Sequence, residues 1–200
     1  TLAAALALLS PWRPSLPLYD PCCGTGTILI EAALIALDRA PGLTRSFDCE
    51  NWSFMPRDAM ADARKAAVER FETAKSRPLD IRGSDIDPEA LELAARHVAQ
   101  AGLTGRIRLE KRDVRDAVLT GEPGVILTNP PYGERLGDAR AAQAVAKALG
   151  NLQRQANWPL SALTADRGFE RAFGRRADKR RRLYNGRIEC EFITFGGSSK

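Results

Sequence analysis

Histidine is almost missing from this chain. His97 is the only one in 200 residues, and the four cysteines (Cys22, Cys23, Cys49, Cys190) have no metal-ligand spacing. That excludes the usual Cys/His zinc frameworks, and no metal is expected. Adjacent Cys22 and Cys23 are poorly placed to pair with each other, so reduced thiols in a cytoplasmic protein are the simpler account. No apolar run is long enough to cross a bilayer, so no membrane partner is expected. The opening Thr1-Leu2-Ala3-Ala4-Ala5-Leu6-Ala7-Leu8-Leu9 is apolar but lacks the basic lead of a signal peptide, and reads as a core helix. An initiator methionine is also absent, so the chain reads as excised from a longer protein.

What is present suits one globular domain with a real core: 44% hydrophobic and 28% charged residues. The net charge of +5 is local. Between Arg171 and Arg182 seven basic residues (Arg171, Arg175, Arg176, Lys179, Arg180, Arg181, Arg182) meet one acid, Asp178, so this window carries +6 and the remainder −1. A surface that meets a polyanion looks like this. The competing reading is a solvated charge run at a helix end.

Strand-like and helix-like segments alternate, as in an α/β domain with a mainly parallel sheet. Strands are expected over about 16–20, 80–85, 106–111, 124–128 and 160–165, with helices over about 27–38, from 88 and over 139–156. Asp87-Pro88-Glu89 is a helix start, with Asp87 as the cap, Pro88 in the first position and Glu89 at the positive end. Two strand-like runs, 182–184 and 187–193, flank Asn185-Gly186, a strong hairpin signal. Residues 41–78 break the alternation and read as an insertion. It holds a loop with Trp52, Phe54 and Met55, expected to cover the core, and then a charged helix over about 57–75.

The tetrad Asn129-Pro130-Pro131-Tyr132 follows the apolar run Gly124-Val125-Ile126-Leu127-Thr128. Two prolines have no N–H to donate, so they stop a strand in a stiff corner. Such a corner can grip a planar group carrying an NH2. The Asn129 oxygen and the Pro130 carbonyl accept its hydrogens, and Tyr132 stacks on its face.

Asp20, Asp85, Asp113 and Asn129 fall at the ends of four successive expected strands, where open α/β sheets bind ligands. The first turn reads Asp20-Pro21-Cys22-Cys23-Gly24-Thr25-Gly26-Thr27. Its glycines let backbone approach a ligand. The third glycine of a dinucleotide fingerprint is replaced by Leu29, and no Gly-Lys-Ser/Thr phosphate loop is present. An acid at the start of the turn disfavours a pyrophosphate and favours a cationic ligand. Asp85 can take ribose hydroxyls, Ile86 can pack on an adenine and Asp113 can accept from its amino group. A nucleoside with a positive tail, S-adenosylmethionine, fits this series.

With Gly83-Ser84-Asp85-Ile86-Asp87-Pro88, Asn129-Pro130-Pro131-Tyr132-Gly133-Glu134-Arg135 and Lys179-Arg180-Arg181-Arg182-Leu183-Tyr184-Asn185-Gly186-Arg187-Ile188-Glu189, the chain resembles a known family nearly end to end. It is similar to the methyltransferase domain of THUMP-containing RNA guanine-N2 methylases, most of all the bacterial enzymes acting on large-subunit ribosomal RNA. The resemblance implies a class I (Rossmann-like) fold with a mainly parallel seven-stranded sheet and a C-terminal antiparallel hairpin. It implies one domain over 1–200, with the family's RNA-binding module preceding Thr1. It implies cofactor contacts from Asp20, Cys22, Gly24, Thr25, Gly26, Thr27, Asp85, Ile86, Asp113 and Val114, and catalysis at Asn129, Pro130, Pro131 and Tyr132. RNA would be the partner, met by Arg175, Arg176, Lys179, Arg180, Arg181 and Arg182. Adenine N6 in DNA or RNA is the main rival substrate, a protein glutamine amide a further one, and a silent RNA-binding module the rival of another class.

Overall fold

The computed structural model describes residues 1–132 and 139–196. The strands are β1 Leu18–Asp20, β2 Ile81–Asp85, β3 Arg108–Lys111, β4 Val125–Thr128, β5 Leu160–Thr164, β6 Lys179–Asn185 and β7 Ile188–Phe195. They form one seven-stranded sheet in the order β3-β2-β1-β4-β5-β7-β6. Strands β1 to β5 are parallel, and β7 runs antiparallel to both β5 and β6. This is the expected parallel sheet closed by an antiparallel hairpin.

The helices are α1 Leu2–Leu9, α2 Thr27–Ala36, α3 Ala59–Ala74, α4 Pro88–Gln100, α5 Ala139–Ala156 and α6 Phe169–Phe173. Every residue of β1, β4 and β5 is buried, because helices cover the middle of the sheet on both faces. One core cluster joins Leu6 of α1 and Leu29 of α2 to Leu18, Leu163 and Phe192. The other joins Leu149 of α5 and Phe173 of α6 to Ile126, Leu160 and Phe195. Helix α4 begins where the capping signals put it: the Asp87 carboxylate accepts from the Glu89 N–H at 2.9 Å, and Pro88 opens the first turn.

Several local expectations are corrected. The basic window is a helix end only at its start, where Arg171 closes α6; Lys179 to Arg182 open the edge strand β6. Arginine and lysine there suit a strand with an unpaired outer side. The hairpin turn is centred one residue later than expected. Asn185 pairs with Ile188, leaving Gly186 and Arg187 as the loop. Gly186 at φ +63 takes the first central position, where primed turns need a positive φ. Trp52 and Phe54 do not cover the core. They are 52% and 77% exposed and lean on each other at 5.3 Å between ring centroids. Helix α3 reaches the core mainly through Ala67, Ala74 and the partly buried Phe71, too few contacts to draw the preceding loop inward. Helix α6 has only five residues, too short for periodicity to reveal, and is held by Phe173 stacking on Phe195 at 3.8 Å.

Candidate functional site

Neighbouring strands β3, β2, β1 and β4 bring Asp113, Asp85, Asp20 and Asn129 to one edge of the sheet. The chain reverses its winding between β1 and β4, the point where open α/β sheets form a ligand crevice. Each side chain is held by its element. Asp20 ends β1, and its Oδ1 accepts from the Cys22 N–H at 3.1 Å. Asp85 ends β2; its Oδ2 accepts from the Gly24 N–H at 2.8 Å and its Oδ1 from the Asp87 N–H at 3.0 Å. Asp85 therefore ties the glycine turn to the start of α4, and each oxygen keeps a lone pair for a further donor.

The turn depends on two left-handed glycines, Gly24 at φ +52 and Gly26 at φ +80, the latter capping α2. A side chain at Gly24 would meet nothing within 4 Å, so it faces open space. The third glycine absent from the motif is made good on the opposite element. A Cβ at Gly83 of β2 would come within 2.3 Å of Leu29 Cδ1 and 3.0 Å of Cys23 Cβ. Close packing of α2 on the sheet is thus obtained by removing a side chain from the strand rather than from the helix.

Asp20 is 1% exposed. Burial pushes its carboxyl up to about 7, and the nearby Asp85 charge adds to the rise, while the Thr128 hydroxyl and the Cys22 N–H pull the other way. Thr128, at the end of β4, is wholly buried beside it. Burial also pushes the Cys22 and Cys23 thiols up, so both stay protonated. The acid most deeply set in the crevice is therefore one that a cation would draw into its charged form.

A cavity of about 380 Å³ opens at this edge, lined by Pro21, Cys22, Asp85, Ile86, Asp113 and Val114 on one side. Pro131 and the α5 residues Ala141, Ala144 and Val145 line the other. Ile86 is 60% exposed, an apolar residue left for a ligand to cover. The small α5 side chains make room, a contribution that no motif signalled. Asp113 also caps the turn Val114–Asp116 and forms an ion pair with Arg115. That pairing holds its carboxyl below the usual range. The Thr25 carbonyl lies 3.3 Å from His97 Nδ1 of α4. Thr27 opens α2.

At the corner, Asn129 is exposed and Pro130 buried directly after β4. The Tyr132 hydroxyl donates to Asn129 Oδ1, while the ring packs against the α1/α2 core cluster. The ring and the amide expected to hold a substrate are thus linked to each other. Gly133, Glu134 and Arg135 lie outside the described residues. Among those described, no group of three or more His, Cys, Asp or Glu could hold a metal ion, and no helix is long and apolar enough to cross a membrane.

The basic window is partly neutralised. Arg175 pairs with Asp178, Arg180 with Glu170 at 2.8 Å and Arg182 with Glu189 at 3.4 Å. Arg176, Lys179 and Arg181 are exposed and have no ion pair among the described residues.

The crevice brings together an acid with lone pairs to spare (Asp85), an exposed apolar side chain (Ile86), an open glycine turn and a buried acid (Asp20). The family described as UPF0020, RMKL-like, methyltransferase domain, matches residues 1–193. Ribosomal RNA large subunit methyltransferase K/L of Methylococcus capsulatus is 39% identical over 212 residues, covering 97% of this chain and 27% of that protein. The crystal structure of SMU.472, described as a methyltransferase complexed with SAH, aligns with TM-score 0.91 and 37% identity over 100% of this chain and 52% of that one. A structure from Listeria monocytogenes described as an N6-adenine-specific DNA methylase aligns with TM-score 0.88 and 40% identity, covering 98% of this chain and 50% of that one. The chain thus spans between about a quarter and about half of these proteins.

Proposed function

The chain belongs to the UPF0020 family of RMKL-like methyltransferase domains, and from that premise we propose that it methylates the exocyclic N2 amine of a guanine in large-subunit ribosomal RNA, with S-adenosylmethionine as methyl donor. The observation that carries this reading is the rigid corner: Asn129 stands exposed at the end of β4, next to the cavity that Pro131 helps to line. Asp85 binds the ribose hydroxyls, Ile86 packs on the adenine face and Asp20 faces the positive end of the cofactor. Asp113, held by Arg115, keeps one lone pair, on Oδ2, for the adenine amino group. Gly24, Gly26 and Thr27 give the approach along the turn, while Cys22 and Val114 close the cavity wall.

The cofactor supplies an already activated methyl group. The chain's own residues deal with the amine, whose lone pair is delocalised into the ring. Asn129 Oδ1 and the Pro130 carbonyl accept its two hydrogens, aim the lone pair and stabilise positive charge growing on nitrogen. Tyr132 gives up its hydrogen bond to Asn129 and stacks on the base, contributing roughly 1–3 kcal/mol. The base reaches this corner from a loop or by leaving its stack. Arg175, Arg176, Lys179, Arg180, Arg181 and Arg182, on and before the edge strand and divided between its two faces, are the cations available to meet RNA.

The test is digestion of the methylated RNA to nucleosides followed by chromatography, with N2-methylguanosine expected. An adenine-N6 product is the second reading, favoured by the Listeria structure's description and by a corner that fits either amine. N6-methyladenosine in the digest would replace the first reading with the second.

A further inference from the structure

We propose that RNA reaches the site along one face only of the edge strand, held by Lys179 and Arg181 and led by Arg187 at the hairpin tip. This rests on the reading of RNA as substrate and narrows the basic window to a route.

Side chains on β6 alternate between the two faces of the sheet. Arg181 lies opposite Phe192, and Leu183 lies opposite Cys190. Phe192 and Cys190 are buried in the α1/α2 core cluster, and Leu183 packs against it. Tyr132 packs against that same cluster. Lys179, Arg181 and Leu183 therefore share the face that carries the catalytic tyrosine. Arg180 and Arg182 point to the other face, with Ile193 and the α5/α6 cluster.

The two faces also differ in free charge. Arg180 is held by Glu170 at 2.8 Å and Arg182 by Glu189 at 3.4 Å. An arginine already paired with a carboxylate brings little net charge to a phosphate. Lys179, Arg181 and Arg187 are exposed and have no ion pair among the described residues. Two residues apart on a strand is about 6.6 Å, so Lys179 and Arg181 present a short row of cations.

The row leads to the right end of the molecule. Strand β5 stops at Thr164, which lies opposite Glu191, and Glu191 lies opposite Arg182. The pairs Leu183–Cys190, Tyr184–Glu189 and Asn185–Ile188 continue past it. The tip with Arg187 thus stands beyond the carboxyl edge of the sheet, the edge at which Asn129 lies. The competing account is that these cations merely guard an open strand edge against pairing with other chains.

The experiment measures binding of a short fluorescent single-stranded RNA by anisotropy across a salt series. Each phosphate contact on a single strand contributes about 0.7 to the slope of log affinity against log salt. K179A/R181A is expected to flatten the slope by about 1.4, and R187A by about 0.7, with K179R/R181K restoring it. Glu189→Gln frees Arg182 on the opposite face and is expected to leave the slope unchanged. A steeper slope in that variant would place RNA on the wrong face and overturn the route. An unchanged slope in K179A/R181A, with or without self-association, would overturn it in favour of the edge guard. Methylation of RNA by the parent protein separates the two levels. RNA that is methylated while the slopes refuse to move sinks the route alone; a parent protein that neither binds nor methylates RNA sinks both.

Discussion

Asp20→Asn isolates the most perturbed acid in the molecule. Its carboxyl would ionise near 3.8 in the unfolded chain but near 7 in the fold. Between those values the folded state holds a proton that the unfolded chain has lost, so stability falls as pH rises. At about 1.4 kcal/mol per pKa unit, the full penalty is roughly 4 kcal/mol, and most of it develops between about pH 4 and about pH 8. Asparagine keeps the size of the side chain and the acceptor for the Cys22 N–H but cannot ionise. Urea unfolding of both proteins across that range is the assay, because titrating groups that do not interact with Asp20 cancel in the difference. The parent should be destabilised relative to Asp20→Asn by roughly 3–4 kcal/mol more at the alkaline end than at the acid end. Parallel pH curves would refute the reasoning. S-adenosylmethionine should reverse the effect by favouring the ionised acid, so its affinity rises with pH up to about 7 and then levels off, with Asp20→Asn showing no such rise.

Gly83→Ala should cost at least 1–3 kcal/mol of stability in denaturant unfolding, because its Cβ would stand 2.3 Å from Leu29 Cδ1; an unchanged midpoint would show that α2 does not lie so close. Thr128→Val should move the Asp20 titration upward, since the Thr128 hydroxyl favours the ionised carboxylate; the same pH series checks it. Asn129→Ala should keep cofactor affinity by calorimetry and lower turnover by roughly 10²–10³, and retained turnover would remove the amide from the mechanism. Phe54→Ser should change stability by less than about 0.5 kcal/mol, since the ring is 77% exposed.

The central strands were legible because buried parallel strands are short, nearly continuous apolar runs closed by turn residues. Val125 to Thr128 before Asn129-Pro130 and Leu160 to Thr164 are of that kind. The start of α4 was legible because its cap is local chemistry within Asp87, Pro88 and Glu89. Strand β6 was found only in part, because four charged residues in a row carry no alternation, and only pairing with β7 makes them a strand. Trp52 and Phe54 misled because aromatic character says nothing of whether a partner surface exists. The acids of the crevice could be named from their places at strand ends, but the partners of Asp113, Arg180 and Arg182 could not. Arg115 is two residues from Asp113, yet Glu170 and Glu191 reach Arg180 only through the fold. The small wall of Ala141 and Ala144 likewise has no local signature.

The bond from the Gly24 N–H to Asp85 bears on the timing of order in the turn. The glycine turn, proposed to lie against the cofactor, is fastened to a neighbouring strand by the protein's own groups. The entropy lost in shaping that loop is then charged to folding, leaving ligand capture free of it. In the ligand-free protein, the amide proton of Gly24 should exchange with deuterium slowly despite its place in a surface turn.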